Sequence, residues 1–235
     1  MPRIARVVAI GQPHHITQRG NYQQEVFLSA DNRKQYLAWI NEYSVKYGVS
    51  ILAYCLMLNH VHFIAVPYEN DSLAKTFNTA HMRYAQYLNK KLKQRGHLWQ
   101  GRFYSCVLDQ SHLILAARYI ERNPARAGIV DKPWQWLWSS AALHTGREND
   151  GLIKLGDLFR IIDMSSVSWE KYIDSAEEDN FLQNIRKHTY AGRPLGAPEF
   201  TTDLEEKCGR RLCALPIGRP RVLNRDSDRF SGRFT

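Results

Sequence analysis

The stretch Asn59-His60-Val61-His62-Phe63-Ile64-Ala65-Val66 sets two histidines one residue apart at the head of an apolar run. Side chains on a β-strand alternate between faces, so His60 and His62 share one face and Val61 takes the other. Two imidazoles on one face suit a single metal ion. Equally, they suit a strand that turns two polar residues to solvent. Residues 49–57 just upstream are rich in β-formers, and Leu58-Asn59 makes a tight turn between the two runs. The stretch is therefore the second arm of a β-hairpin, with the histidine pair beside the turn.

Working outward, His14-His15-Ile16-Thr17-Gln18-Arg19 reads as a strand ended by Gly20-Asn21. Residues 31–47 read as a helix, with Tyr36, Ile40, Tyr43 and Tyr47 at helical spacing and Gly48 as its stop. After the hairpin, Asp71 or Ser72 caps a long helix reaching about Gln94, basic at its end through Lys90, Lys91, Lys93 and Arg95. Residues 103–108 are a candidate fourth strand. Ser111 caps a further helix, which Pro124 ends at Asn123 because the residue before a proline avoids helical geometry. Strand, helix, strand, strand, helix, strand is an α+β pattern: a ferredoxin-like βαββαβ antiparallel sheet with two helices on one face. The added helix carries Tyr119. Residues 1–145 would form this domain. A polar linker at 146–150 leads into a helical C-terminal extension over 146–215, with helices near 155–164, 169–187 and 198–211. From 216 to 235, Gly, Pro, Arg, Asp and Ser dominate, the composition of a basic disordered tail.

Hydrophobic residues at 44% and aromatics at 11% supply a packed core and exclude global disorder. A net charge of +9 favours a polyanionic partner, and nucleic acid and an anionic membrane both fit at this level. No apolar run approaches the roughly 20 residues that span a bilayer, and the N-terminus has no secretory h-region. Of the four cysteines, Cys55 reads as a core thiol, while Cys208 and Cys213 lack the second pair a zinc site needs. A reduced, cytoplasmic setting follows, with no membrane and no small-molecule substrate expected.

On the last helix, His112, Leu115 or Ala116, Tyr119 and Asn123 share one stripe, and Leu113, Ala117 and Ile120 make the core stripe. Tyr119 thus lies off the main core face, either as an ordinary packed residue or as a nucleophile. Asn123 is either a helix-end residue or an amide oxygen completing a metal shell. Arg102, with Trp99 and Tyr104, combines charge with aromatic faces, as single-strand binding does. Trp99 could as well anchor the core. Arg118, Arg122 and Arg126 flank Tyr119, placed to meet phosphates.

The run Leu56-Met57-Leu58-Asn59-His60-Val61-His62-Phe63-Ile64 resembles the His-hydrophobic-His motif of the HUH single-tyrosine transposases. Residues 118–128, Arg118-Tyr119-Ile120-Glu121-Arg122-Asn123-Pro124-Ala125-Arg126-Ala127-Gly128, resemble the tyrosine helix of their REP-associated subgroup. Leu98-Trp99-Gln100-Gly101-Arg102-Phe103-Tyr104, Trp138-Ser139-Ser140, Arg19-Gly20-Asn21 and Gly192-Arg193-Pro194-Leu195-Gly196 also match, in the family's order. Leu58 departs from the usual proline, and Arg122 and Ala125 replace a leucine and a valine. The resemblance implies a transposase-like endonuclease and strand transferase acting on single-stranded or hairpin, REP-like DNA, as monomer or homodimer. It implies Tyr119 as nucleophile forming a 5′-phosphotyrosine, His60 and His62 as ligands of Mg²⁺ or Mn²⁺, and Asn123 as a third ligand. Two other readings stand beside it: a non-catalytic binder of structured DNA or RNA on the same fold, and a metal-dependent phosphodiesterase using water.

Overall fold

Val49–Leu56 (β2) and His60–Pro67 (β3) form the hairpin, with Leu56 opposite Val61, Cys55 opposite His62 and Tyr54 opposite Phe63. The Met57 amide donates to the His60 carbonyl at 2.8 Å and closes the turn. The computed structural model describes residues 5–147, 151, 153–175 and 179–213. His14–Arg19 (β1) pairs with β3, and Tyr104–Val107 (β4) pairs with the other edge of β1. The sheet order is β2-β3-β1-β4, all antiparallel, which is the split βαβ arrangement expected.

Strand alternation divides the sheet into two faces with different tasks. Val61, Phe63, Ile16 and Phe103 join one core with Ala30–Lys46 (α1) and Ser72–Leu92 (α2). Ser29 caps α1, its hydroxyl accepting from the Asn32 amide. The opposite face carries the histidine pair, with Cys55, Ile64 and Cys106 beside it, and is covered by Gln110–Arg126 (α3).

Helix α3 departs from expectation in two ways. It continues through Pro124 to Arg126. The proline removes one amide only near the helix end, and the turn goes on through the Ala127 amide bonded to the Asn123 carbonyl at 3.0 Å. Tyr119 is also not off the core: Leu113, Ala117, Ile120 and Tyr119 are all buried. The reason is that Tyr119 turns toward the sheet, where it meets His62 and His15, and Asp179–Ala191 of the C-terminal extension packs on the same sheet face beside it.

Ala141–His144 (α4) closes the first domain, and the extension comprises Leu158–Ile162 (α5), Ser166–Asp174 (α6), Asp179–Ala191 (α7) and Pro198–Cys208 (α8). The single helix expected over 169–187 is thus two helices. Trp169, Ile173, Leu182 and Ile185 bury into the core of α3. The Gly192–Gly196 stretch ties the extension to the start of α3: the Leu195 amide donates to the Val107 carbonyl, and the Ala197 amide to the Asp109 carboxylate, each at 2.8 Å. A Cβ at Gly196 would lie 2.4 Å from a Phe200 ring carbon and 2.9 Å from Asp109 Oδ2, so only glycine fits this crossing. All four cysteines are free thiols, with Cys55 and Cys106 buried. No described helix is long and apolar enough to cross a membrane. The basic tail expected from 216 onward lies outside the described residues.

Candidate active site

The register of β1 against β3 puts Thr17 opposite His62 and Arg19 opposite His60. Cross-strand partners share a face, so His15, Thr17 and Arg19 join the histidine side of the sheet. Helix α3 crosses that side and sets the Tyr119 ring edge-on to His62, with centroids 5.5 Å apart. Tyr119 also meets His15 edge-on at 5.9 Å. His60, His62, Tyr119, Asn123, Arg126 and Arg186 line one cavity of about 510 Å³. A second cavity of about 540 Å³ lies between Ser50, Leu52, Gln110 and Arg160 and holds neither the paired histidines nor the tyrosine.

Both histidines of the pair are held neutral. Burial brings His60 down to about 4, helped by the nearby cations Arg19, Arg126 and Arg186. Burial likewise pushes His62 well below the ordinary imidazole value, with His60 and His15 adding to it. Each ring also has its Nδ1 occupied. His60 Nδ1 donates to Asn59 Oδ1 at 2.6 Å, and His62 Nδ1 is bonded to His15 Nε2 at 2.9 Å. His15 Nδ1 in turn lies 2.7 Å from the Thr189 hydroxyl. One tautomer set satisfies the whole chain: His62 Nδ1–H donates to His15, and His15 Nδ1–H donates to Thr189. It leaves Nε2 of both His60 and His62 as lone-pair donors.

This donor set fits a divalent ion in a particular way. Among the described residues there is no group of three or more His, Cys, Asp or Glu placed to hold a metal, so a closed structural site is not present there. Two neutral imidazoles with orienting partners on Nδ1 suit an open site whose other positions are water and substrate oxygen. Asn123 lines the same cavity, but its Oδ1 accepts from the Arg126 guanidinium, and its buried Nδ2 has no hydrogen-bond partner. To ligate a metal, the amide oxygen would have to leave Arg126. Arg126 also stacks over the Tyr119 ring, 4.6 Å from its centroid.

The remaining predicted residues separate. Arg19 lines the cavity beside His60, and Tyr104 packs edge-on against Tyr190 at 4.9 Å on the same side of the sheet. Trp99 is buried on the opposite face, its indole donating to the His81 carbonyl at 3.0 Å, so of its two readings it is the core anchor. Arg102 is exposed before β4 and lines a different cleft with Gln18 and His97. Arg118 and Arg122 do not flank the tyrosine on the cavity side. They lie four residues apart on a stripe that runs under α6. There Arg118 donates to the Ser175 carbonyl at 2.7 Å and Arg122 to the Ile173 carbonyl. Free carbonyls at a helix C-terminus attract cations, which accounts for both contacts.

Among the cavity residues that escaped the sequence reading are His15, Thr189 and Arg186. Adjacent histidines on a strand must face opposite ways, so either His14 or His15 had to join the pair's face, but only the register says which. Arg186 donates from Nε to the Tyr119 hydroxyl at 3.4 Å across 67 residues of chain, and no local pattern announces that contact.

The site is thus an antiparallel split-βαβ sheet that sets two neutral histidines against a helix-borne tyrosine. Residues 11–123 match the family described as Transposase IS200 like. Among solved structures, a REP-associated tyrosine transposase bound to a REP hairpin is similar at 19% identity, covering 67% of this chain and 93% of that one, with a TM-score of 0.51. A putative transposase from Deinococcus radiodurans is 18% identical, covering 52% of this chain and 97% of that one, with a TM-score of 0.35. The first likeness shows a shared fold. No curated protein matches the chain.

Proposed function

We propose that this transposase cleaves and rejoins single-stranded, hairpin-bearing DNA through a covalent bond to Tyr119. The observation that carries the reading is the convergence of Tyr119 with His60 and His62 in one cavity. The chain's +9 charge suits a nucleic acid. The hairpin preference is carried over from the similar transposase bound to a REP hairpin. Tyr119 is 3% exposed, so a scissile phosphate must enter the cavity to meet it, and an unpaired strand bends into such a recess where a duplex does not.

In the proposed step, Tyr119 Oη forms a bond to phosphorus and the P–O3′ bond breaks. The hydroxyl proton passes to water and the departing 3′-oxygen takes one up, leaving a 5′-phosphotyrosine and a 3′-hydroxyl. Reversal rejoins the strand without ATP, because the phosphotyrosine keeps the energy of the broken diester. His60 and His62, with Asn123 as a candidate third, would hold Mg²⁺ or Mn²⁺, which when bound supplies positive charge to the scissile phosphate. Arg19 and Arg126 add cationic charge to the cavity wall, where the phosphate's negative charge gathers.

The test is a denaturing gel of the protein with a hairpin-tailed oligonucleotide and Mg²⁺ or Mn²⁺. Wild type is expected to give a covalent adduct. Tyr119→Phe is expected to give none while still shifting the hairpin on a native gel. Cleavage surviving in Tyr119→Phe would assign the nucleophile to water. Binding without any adduct from wild type would leave a nucleic-acid binding module on this fold.

A further inference from the structure

We infer that Arg186, on α7, is a catalytic residue of this centre: it holds the Tyr119 oxygen in place and balances the phosphate charge during strand transfer. The inference rests on the covalent chemistry proposed above and adds a residue outside the region matched by the family, which ends at Asn123.

Three observations support it. Arg186 Nε lies 3.4 Å from Tyr119 Oη, the atom that must bond to phosphorus, and is an N–H donor to it. Its guanidinium sits 6.0 Å from the centroid of the same ring, while Arg126 takes a closer position over that ring at 4.6 Å. Tyr119 thus has two guanidinium groups within 6.0 Å of its ring centroid. Arg186 also lines the histidine cavity, so any phosphate brought to Tyr119 comes within reach of it.

The placement of α7 is built independently of Arg186. Leu182, Ile185 and Thr189 are buried, and the Thr189 hydroxyl reaches His15 at 2.7 Å. These residues seat the helix against the sheet. Arg186 is solvent-exposed at the cavity mouth, so its loss removes no core packing. An exposed arginine directed at a buried tyrosine oxygen has little to add to stability. It has much to add to a reaction that joins that oxygen to an anion.

In the forward step, the Nε–H donates to Oη before attack, which holds the oxygen at its place in the cavity. As the O–P bond forms and the P–O3′ bond breaks, the cation remains beside the charge spread over the phosphoryl oxygens. Arg186 neither gives nor takes a proton. In the reverse step it stands beside the phosphotyrosine and favours attack by the 3′-hydroxyl.

The experiment measures single-turnover adduct formation on a hairpin-tailed oligonucleotide for wild type, Arg186→Ala and Arg186→Gln, with the melting temperature and hairpin affinity of each. Arg186→Ala is expected to slow the adduct step roughly 100-fold, the loss typical of one transition-state donor. Melting temperature and hairpin affinity should stay close to wild type. Added guanidinium ion, against matched sodium chloride, should restore rate to Arg186→Ala and not to Tyr119→Phe. The inference is overturned by a wild-type rate in both variants, by a loss confined to hairpin affinity, or by a loss that follows a fall in melting temperature and ignores guanidinium. Absence of an adduct from wild type would instead sink the function proposed above.

Discussion

His62 is restrained by His15: the two ring planes lie within 8° of parallel with centroids 5.1 Å apart, joined edge to edge by the hydrogen bond between His62 Nδ1 and His15 Nε2. Thr189 completes the chain by bonding His15 Nδ1. If His62 holds a metal through Nε2, this relay sets the tautomer and the ring plane, the task of outer partners in histidine metal sites. Thr189→Val removes the hydroxyl and leaves a buried imidazole N–H unpaired. The expected result is Mn²⁺ affinity weakened about 10-fold or more, measured by titration calorimetry. Unchanged affinity would show that His62 needs no such support. The role of His60 and His62 as a pair was open to a sequence reading because strand alternation is a local rule. His15 was not, because its neighbour His14 satisfies the same local pattern and instead bonds the Gln12 carbonyl on the other face.

Helix α3 carries Tyr119 and is gripped by α4 and by the extension. Its Glu121 is fully buried and accepts from the Ser140 hydroxyl and His144 Nδ1, each at 2.5 Å, and from the Trp169 indole at 2.8 Å. One carboxylate thus joins α3 to the N-terminal cap of α4, to α4 itself and to α6. Glu121→Ala would leave three buried donors unpaired. Each unmet buried group costs about 1–3 kcal/mol, so the variant should lose roughly 3 kcal/mol or more in urea unfolding. A loss below about 1 kcal/mol would mean that water replaces the carboxylate. The tyrosine helix was visible in the sequence as an apolar stripe ending near a proline. Its burial on two sides was not, since Glu121 reads as a surface charge until Ser140, His144 and Trp169 are brought around it.

Across the molecule, burial holds several histidines neutral: His14 and His60 at about 4, His15 and His81 at about 3. In the unfolded chain each returns to its ordinary value near 6.5. Below that value the unfolded state binds protons that the folded state refuses, so stability rises with pH across this window. The stabilising contribution is complete above about 6.5 and is lost as pH falls toward 4. Urea midpoints should therefore drop between pH about 7.5 and about 5, at constant salt. A midpoint that is flat or rises on acidification would contradict neutral burial of these rings.

Periodic features were legible in the chain alone: the hairpin around His60 and His62, the strand–helix order of the sheet, and the amphipathic faces of its helices. Each follows from backbone geometry, which repeats every two residues in a strand and every 3.6 in a helix. Contacts between distant segments were not legible. Thr189 meets His15 across 174 residues and Arg186 meets Tyr119 across 67. Trp99 chose the core over the surface, and Arg118 and Arg122 chose the end of α6 over the cavity, through packing decided elsewhere in the chain. Strand register and helix seating come from the sum of many contacts between such segments, a quantity that no short stretch of residues carries.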